Sequence, residues 1–595
     1  MMDSNTPNIP DPPKGHLHAI EAKIKSLEES ALELKRYRNS LVPISSLPNE
    51  ILSIIFSLLP SIAFFELSES FSVSPISHVC HRWREILLNL PNFWSHINFN
   101  RLSRAANAEM LARAKMSPLD VEAITEHGYA EEKFIAFEGH IKTHIHHTRQ
   151  FTIAATSERL GRMFGQLVSS APSLEELAIT NTDLGRETPL VIPDNLFDGI
   201  APKLVDLQLW ACAIGWESPL LKGLRNFTLS LFPLQARVPL KTWLDALSRM
   251  PRLESLTLQN GVPIHSMTRQ PRLTVVLSSI TDLHISSLVQ NCIAVLAGLV
   301  LPALIRLRVT ARPYHPQNIY MLKLIPYVAQ NAHGPQDTDA LQSLFIGTDE
   351  TQVVRLAGIV AWSRPRADTD GGLGNTVSLR DGLHLARVAF STIMLPNRTA
   401  EEYTPLHDAL LTALPLNSIT SLTVDGRMPL NKKLWSSHAP RWLELERVRL
   451  FSTAVPAFRE MLKDAPCGVP LLPSLEELIV VNVFLDAKRV YYLYDMLIEL
   501  VELEVPIRTL DLRLCIVTNR AVKLLSEIVV DVQGPVKWSS DHSGIDTFGE
   551  EIDEEEGTDE EYQERYYGFN GVPPFLGSWD TVDDDESDSY SEPQI

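Results

Sequence analysis

Leu47-Pro48-Asn49-Glu50-Ile51-Leu52, then Ile55-Phe56, then Val79-Cys80-His81-Arg82-Trp83-Arg84 and finally Leu90-Pro91-Asn92-Phe93-Trp94 form the stretch on which the reading of this chain turns. Pro48 suits the first turn of a helix, because the N–H it lacks falls among the donors that a helix start leaves unpaired. Glu50 in that turn complements the helix dipole. Ile51, Leu52, Ile55, Phe56 and Leu59 recur at three- and four-residue steps, which predicts one apolar stripe. A second helix would carry Val79, Trp83, Ile86 and Leu87 and end at Pro91, with Trp94 capping a very small core. A unit of roughly fifty residues is near the lower size limit for independent folding, so part of its apolar surface is expected to wait for a partner.

This compound pattern resembles an F-box. The resemblance implies docking on the Skp adaptor of a cullin–RING ubiquitin ligase through Leu47, Pro48, Ile51, Leu52, Ile55, Phe56, Val79 and Trp83. One departure from the pattern is the segment from Pro60 to His78 between the two halves, which is long and holds Pro75.

A chain of 595 residues with 45% hydrophobic content can hold several domains or one elongated solenoid. Cys80, Cys212, Cys292, Cys467 and Cys515 lie far apart, a spacing that disfavours a disulfide framework or a zinc site and reads as thiols in a reducing compartment. The N-terminal residues are polar and proline-bearing, unlike a secretory signal, and Ile293 to Leu301 is too short to span a bilayer. A cytoplasmic or nuclear protein without membrane or nucleic-acid partners is expected. The net charge of -20 is unevenly placed. Residues 541–595 hold nineteen Asp and Glu against Arg565 alone, or -18, so the other 540 residues carry only -2. That segment, 541–595, reads as a disordered acidic tail, with Tyr566, Tyr567, Phe569, Phe575, Leu576 and Trp579 as a possible docking element.

Residues 1–16 are proline-rich and read as disordered. From 17 to 42, Leu17, Ile20, Ile24, Leu27, Ala31 and Leu34 alternate steps of three and four among charged residues, as a coiled-coil seam requires. Packing of this short helix against the 43–99 unit and dimerisation are the two readings. From 100 to 540 the chain repeats an apolar residue, two variable positions, an apolar residue, one variable position and a third apolar residue. Copies run Leu174–Ile179, Leu204–Leu209, Leu224–Leu229, Leu253–Leu258, Ile280–Ile285, Leu304–Val309, Leu341–Ile346, Leu385–Phe390, Ile419–Val424, Leu445–Leu450, Leu475–Val480 and Ile507–Leu512, with Thr148–Ile153 a degenerate one. The spacing approximates a leucine-rich repeat, in which short strands stack and intervening helices close each turn. Prolines 172, 202, 251 and 473 stand where strands begin. Thr242–Met250 and Ala454–Leu462 read as connecting helices. The gaps from Ile346 to Leu385 and from Phe390 to Ile419 are long, and Ala367 to Asn375 reads as a surface loop.

His140, His144, His146 and His147 could share a helix face, yet no cysteine or carboxylate stands at a matching step, so an exposed histidine-rich surface is expected rather than a metal site. No Gly-x-Ser-x-Gly, phosphate-cradling, dinucleotide or His-Glu-x-x-His motif appears, so neither enzymatic activity nor a cofactor is expected. The variable strand positions would form the binding face. They place Trp210 in an early repeat and Arg306, Arg308, Arg387, Arg447, Arg449 and Arg513 in later ones, where arginine forks suit an acidic or phosphorylated protein segment or the chain's own tail.

The fold class expected is therefore α/β: an N-terminal helix, an all-α F-box and an irregular leucine-rich-repeat solenoid. The whole is similar to a large class of fungal F-box proteins, which implies a substrate receptor of an SCF-type ligase. The alternative is a repeat scaffold with no role in ubiquitination.

Overall fold

The computed structural model describes residues 14–66, 75–100, 102–125, 131–183, 188–231, 238–261, 274–313, 319–332, 340–350, 355–363, 386–393, 403–425, 430–451, 454–463, 471–481, 483, 485–505, 507–517 and 519–534. The readings for residues 1–13, for Ala367–Asn375, for Cys467 and for the acidic tail fall outside these. The fold is mixed α/β, with an N-terminal helical region followed by large, mostly parallel sheet. Two compact units divide the chain, 1–224 and 225–595.

The first unit opens with helix α1 (Lys14–Ser40), a 3-10 turn (Pro43–Ser46), helix α2 (Asn49–Glu66) and helix α3 (His81–Leu88). Strands β1 (His96–Asn98), β2 (Leu119–Ile124), β3 (Thr148–Ala155), β4 (Glu176–Asn181) and β5 (Asp206–Trp210) then pair in that order, all parallel. Helices Arg104–Ala114, Glu131–His144 and Ser157–Phe164 supply the crossovers that parallel pairing demands. In-register rows such as Phe151, Leu177 and Leu207, or Ile153, Ile179 and Leu209, are buried one against the next.

The second unit starts with parallel strands β6 (Asn226–Ser230), β7 (Ser255–Gln259), β8 (Asp282–Leu288) and β9 (Arg306–Arg312). Strands β10 (Ser343–Glu350) and β11 (Arg355–Trp362) are antiparallel, and β12 (Val388–Ile393) pairs parallel to β9 and antiparallel to β11. Parallel order resumes with β13 (Ser421–Val424) on β10, followed by β14 (Arg447–Phe451), β15 (Glu477–Val481), β16 (Thr509–Asp511) and β17 (Asp531–Gln533). One expectation is thereby corrected: the succession of strands does not run repeat to repeat across residues 343–393, where β11 lies in the long gap after Ile346. Gly347 and Gly358 face each other in the β10–β11 pair, and a Cβ on Gly358 would stand 2.3 Å from the Phe390 carbonyl oxygen, so only glycine admits this third strand.

The repeat copies sit where their spacing puts them, with most strands starting two residues after the first apolar position. The exceptions include the Leu385 copy, whose strand begins at Val388, and the degenerate copy, whose strand begins at its first residue, Thr148. The prolines have a sharper role than a strand beginning. Leu174, Leu204, Leu253 and Leu475 each donate N–H to the carbonyl three residues back, at Ala171, Ala201, Met250 and Leu472, so each proline holds the second position of a β-turn with its fixed φ. The expected helices are found as Leu240–Ser248 and Ala454–Lys463. Among the described residues, no helix is long and apolar enough to cross a membrane.

One buried ionic cluster fastens the start of the first sheet. Asp120 on β2 accepts from Nε and Nη2 of Arg149 at 2.9 and 2.6 Å, and His96 Nε2 lies 2.9 Å away. Burial alone would raise the Asp120 carboxyl, but the hydrogen bonds and charges of His96 and Arg149 outweigh it and hold the group below its ordinary range. Its folded-state pKa is depressed, so its stabilisation is full above the unfolded carboxylate value and is lost as pH falls through the folded one. Asp120→Asn is expected to cost about 1–3 kcal/mol, because Arg149 and His96 lose a charged partner and one of its two acceptor oxygens becomes a donor. Calorimetric melting at neutral pH checks this, and the deficit should shrink at strongly acidic pH.

Candidate functional site

The helical region divides its apolar residues between a core and an outer surface. Pro48 sits one position earlier than expected: its carbonyl accepts from Leu52 N–H at 3.1 Å, and α2 starts at Asn49 with Glu50 in the first turn. Leu52 and Phe56 turn inward and are buried with Ile86 and Leu87 of α3, flanked by Leu47, Ile76, Trp83, Leu90 and Phe93. Phe56 meets Trp83 edge to face, with centroids 5.1 Å apart. Trp94 is buried, as its capping role requires; its indole N–H donates to the Leu87 carbonyl at 2.8 Å, and the Arg113 guanidinium lies over its ring at 4.6 Å.

The opposite side of α2 faces solvent. Ile51 is 43% exposed, Ile55 38% and Leu58 61%, with Ile54 also exposed; Val79, just before α3, is 55% exposed. Of the eight residues expected to dock, Pro48, Ile51, Ile55 and Val79 are therefore on the surface, and Leu47 and Trp83 are half-buried. Leu52 and Phe56 are not surface residues: one helix stripe cannot serve both sides, and theirs forms the core. Ile54 and Leu58 fall outside the expected docking set although they continue the stripe from Ile51 at i+3 and i+7. Leu59 lies beyond the described side chains of α2.

Arg82 stands outside the expected docking set, and the structure gives it a role. Its Nη1 and Nη2 donate to the carbonyls of Ser45 and Leu47, each at 2.6 Å, and its Nε to Asn49 Oδ1 at 2.9 Å. A five-donor planar fork satisfies three acceptors of the chain entering α2 at once, fixing that helix's start against α3. Lysine cannot replace it, having one nitrogen for three separated acceptors.

The other expected site residues are dispersed. Trp210 is 40% exposed at the end of β5. In the second unit, Arg306 is paired with Asp282 across β8 and β9, Arg447 with Glu477 across β14 and β15, and Arg513 with Asp511 by a two-pronged contact at 2.7 to 3.1 Å. Arg387 corrects the expectation outright. It is buried and donates to the carbonyls of Leu304 and Ala332, serving backbone groups rather than a ligand. Arg449 shares the face of Arg447, beside buried Ile479. Arg308 differs from the paired arginines: it is half-buried on β9, it makes no ion pair among the described residues, and its Nε is buried without an acceptor. Burial, then the charge of Arg306, push its pKa down. Beside it in register stands His284, pushed down to about 3 by burial first and then by Arg308, and so neutral.

The histidines do not form the exposed surface expected of them. His147 is buried and its Nδ1 contacts the Ser117 carbonyl at 2.9 Å, while its Nε2 lies 2.9 Å from His144 Nδ1. A neutral His147 carrying its proton on Nδ1 satisfies both contacts, as His144 then donates to Nε2. His140 and His144 are half-buried, leaving His146 exposed. Among the described residues no group of His, Cys, Asp and Glu could hold a metal ion. Cys212, Cys292 and Cys515 are pushed up to about 12 by burial and stay protonated, whereas Cys80 is half-buried.

Residues 44–100 match the F-box-like family model. No curated protein is matched by the chain. The F-box-like domain thus spans the 3-10 turn, α2, α3 and β1, so its last residues already belong to the sheet that follows. F-box domains typically bind the Skp adaptor within cullin–RING ligases, F-box proteins are generally non-enzymatic adaptors, and an adaptor role in ubiquitin ligase complexes is what this domain suggests.

Two outcomes are expected. Arg82→Lys should lower stability of the F-box-like domain by about 1–3 kcal/mol through orphaned carbonyls and a lost side-chain acceptor bond, read as faster amide exchange across α2. Burial lowers the pKa values of His140, His144 and His147, helped by the Arg104 charge at His140 and by neighbouring histidines at the other two. Their contribution to stability is then full above the unfolded histidine value, about 6.5, and declines as pH falls from there through the folded values. A melting series from pH 7.5 to 5 checks the sign: His147→Gln should flatten the decline.

Proposed function

We propose that this protein is the substrate-recognition subunit of an SCF-type ubiquitin ligase, docking on the Skp adaptor through the outer side of its F-box-like domain. The observation that carries the reading is the row of exposed aliphatic residues on α2, Ile51, Ile55 and Leu58, backed by a buried Leu52–Phe56 core in a sequence matching an F-box-like family model. A surface helix of a small domain gains nothing from such a row unless another chain covers it. Pro48, Leu47, Val79 and Trp83 complete the docking set.

The parallel ladders, with turn-forming prolines and crossover helices, support reading the rest as leucine-rich-repeat-like solenoid interrupted by the β10–β11 hairpin. Its variable strand positions are the substrate face. There Arg308 is the anchoring cation, because Arg306, Arg447 and Arg513 already hold carboxylates. A carboxylate or phosphate of a partner protein is the ligand chemistry it suits. The chain's contribution is positioning, which raises the effective concentration of substrate lysines near the ubiquitin thioester.

Ile51→Asp together with Ile55→Asp should weaken binding to purified Skp adaptor by roughly thirtyfold or more, since a buried interface anchor contributes about 2 kcal/mol. The thermal midpoint should stay near that of the native chain. Co-precipitation of cullin with the adaptor supports the ligase role; adaptor alone, or neither, favours the scaffold. Arg308→Glu should leave adaptor binding intact and lose acidic or phosphorylated partners.

A further inference from the structure

The 27-residue helix α1 carries an apolar seam that none of the described residues covers. Leu17, Ile20, Ile24, Leu27 and Leu34 are each between 48% and 70% exposed, and the expected packing against the F-box-like domain is not what the structure has. Their steps of three and four assign heptad positions: Leu17, Ile24 and Ala31 at a, and Ile20, Leu27 and Leu34 at d. The central heptad sets a β-branched residue at a and leucine at d, the combination that favours two parallel strands. An isolated helix with so many exposed aliphatic residues is marginal in water, and a second helix along the seam removes that cost.

The flanking charges choose the occupant. Lys23 falls at g and Glu28 at the following e. In a parallel, in-register pair, g of one helix meets the next e of the other, so Lys23 faces Glu28 of the second copy twice over by symmetry. An antiparallel pair sets g against g and e against e, so Lys23 meets no acidic residue, the other g positions being His16, Ser30 and Tyr37, although an e-position glutamate can then meet Lys35. We propose that α1 pairs with α1 of a second copy of this chain as a parallel coiled coil, making the protein a homodimer. The seam shares no residue with the adaptor-docking row, so dimerisation and docking are independent.

Sedimentation velocity of the full chain over a concentration series tests this. The mass should rise from 66.7 kDa towards twice that value. Ile24→Glu with Leu27→Glu should return it to the single-chain mass at an unchanged thermal midpoint. Lys23→Glu alone and Glu28→Lys alone should each weaken the dimer, and mixing the two should restore it as a heterodimer. Ile20→Cys should cross-link under mild oxidation beyond the native-chain control, because only parallel pairing sets residue 20 against itself. A single-chain mass throughout the series overturns the proposal, as does a dimer that survives the double glutamate variant. Failure of the charge-swap mixture, or of the cross-link, overturns the parallel register. None of these readouts involves the adaptor, so a failure here is distinct from failure of the docking proposal.

Discussion

The division of α2 into two sides is the constraint on which the N-terminal half of the account rests. Leu52 and Phe56 point one way and close on Ile86, Leu87 and Trp83. Burying each side chain contributes about 1.5–3 kcal/mol, which is a large part of what so small a core can supply. The helix cannot rotate to hide Ile51, Ile55 and Leu58 without exposing that pair. Arg82 removes the remaining freedom by fastening the chain just before α2 to α3. The outer row is therefore held in solvent by the inner one.

A different balance governs the polar face of the second unit. Three of its arginines are matched to carboxylates on their own or the adjoining strand, pairs that contribute about 0.2–1 kcal/mol each when exposed and that mainly fix side-chain direction. Such pairing spends the cation on the fold. Arg308 stands beside Arg306 and neutral His284, with the Asp282 carboxylate offsetting part of its burial, and makes no ion pair among the described residues. Arg387 shows the opposite extreme, a guanidinium drawn inward to satisfy carbonyl groups that the β9–β12 junction would otherwise leave bare.

Much of this was legible in the sequence, because the relevant signals are local. The spacing of Leu174, Leu204 or Leu253 with its neighbours reports strand position directly, since alternate side chains must enter the core, and a proline two residues earlier marks the turn. The α2 stripe likewise named Leu52 and Phe56. What it could not do was divide the stripe: helix periodicity locates apolar residues, but which ones a second helix covers depends on tertiary packing, so Leu52 and Phe56 were expected at the surface while Ile54 and Leu58 were missed. Strand Arg355–Trp362 escaped because it breaks the repeat spacing and pairs antiparallel, which no local pattern announces. The arginines failed for a similar reason. Their partners Asp282 and Glu477 are 24 and 30 residues away in sequence and adjacent only by sheet register.

Isothermal titration calorimetry of purified Skp adaptor into the full chain at several temperatures tests the central claim most directly. If the outer row of α2 is a docking surface, binding occurs at one adaptor per chain with a clearly negative heat-capacity change, the mark of apolar surface leaving water. Absence of saturable binding, or binding whose heat does not vary with temperature, would contradict it.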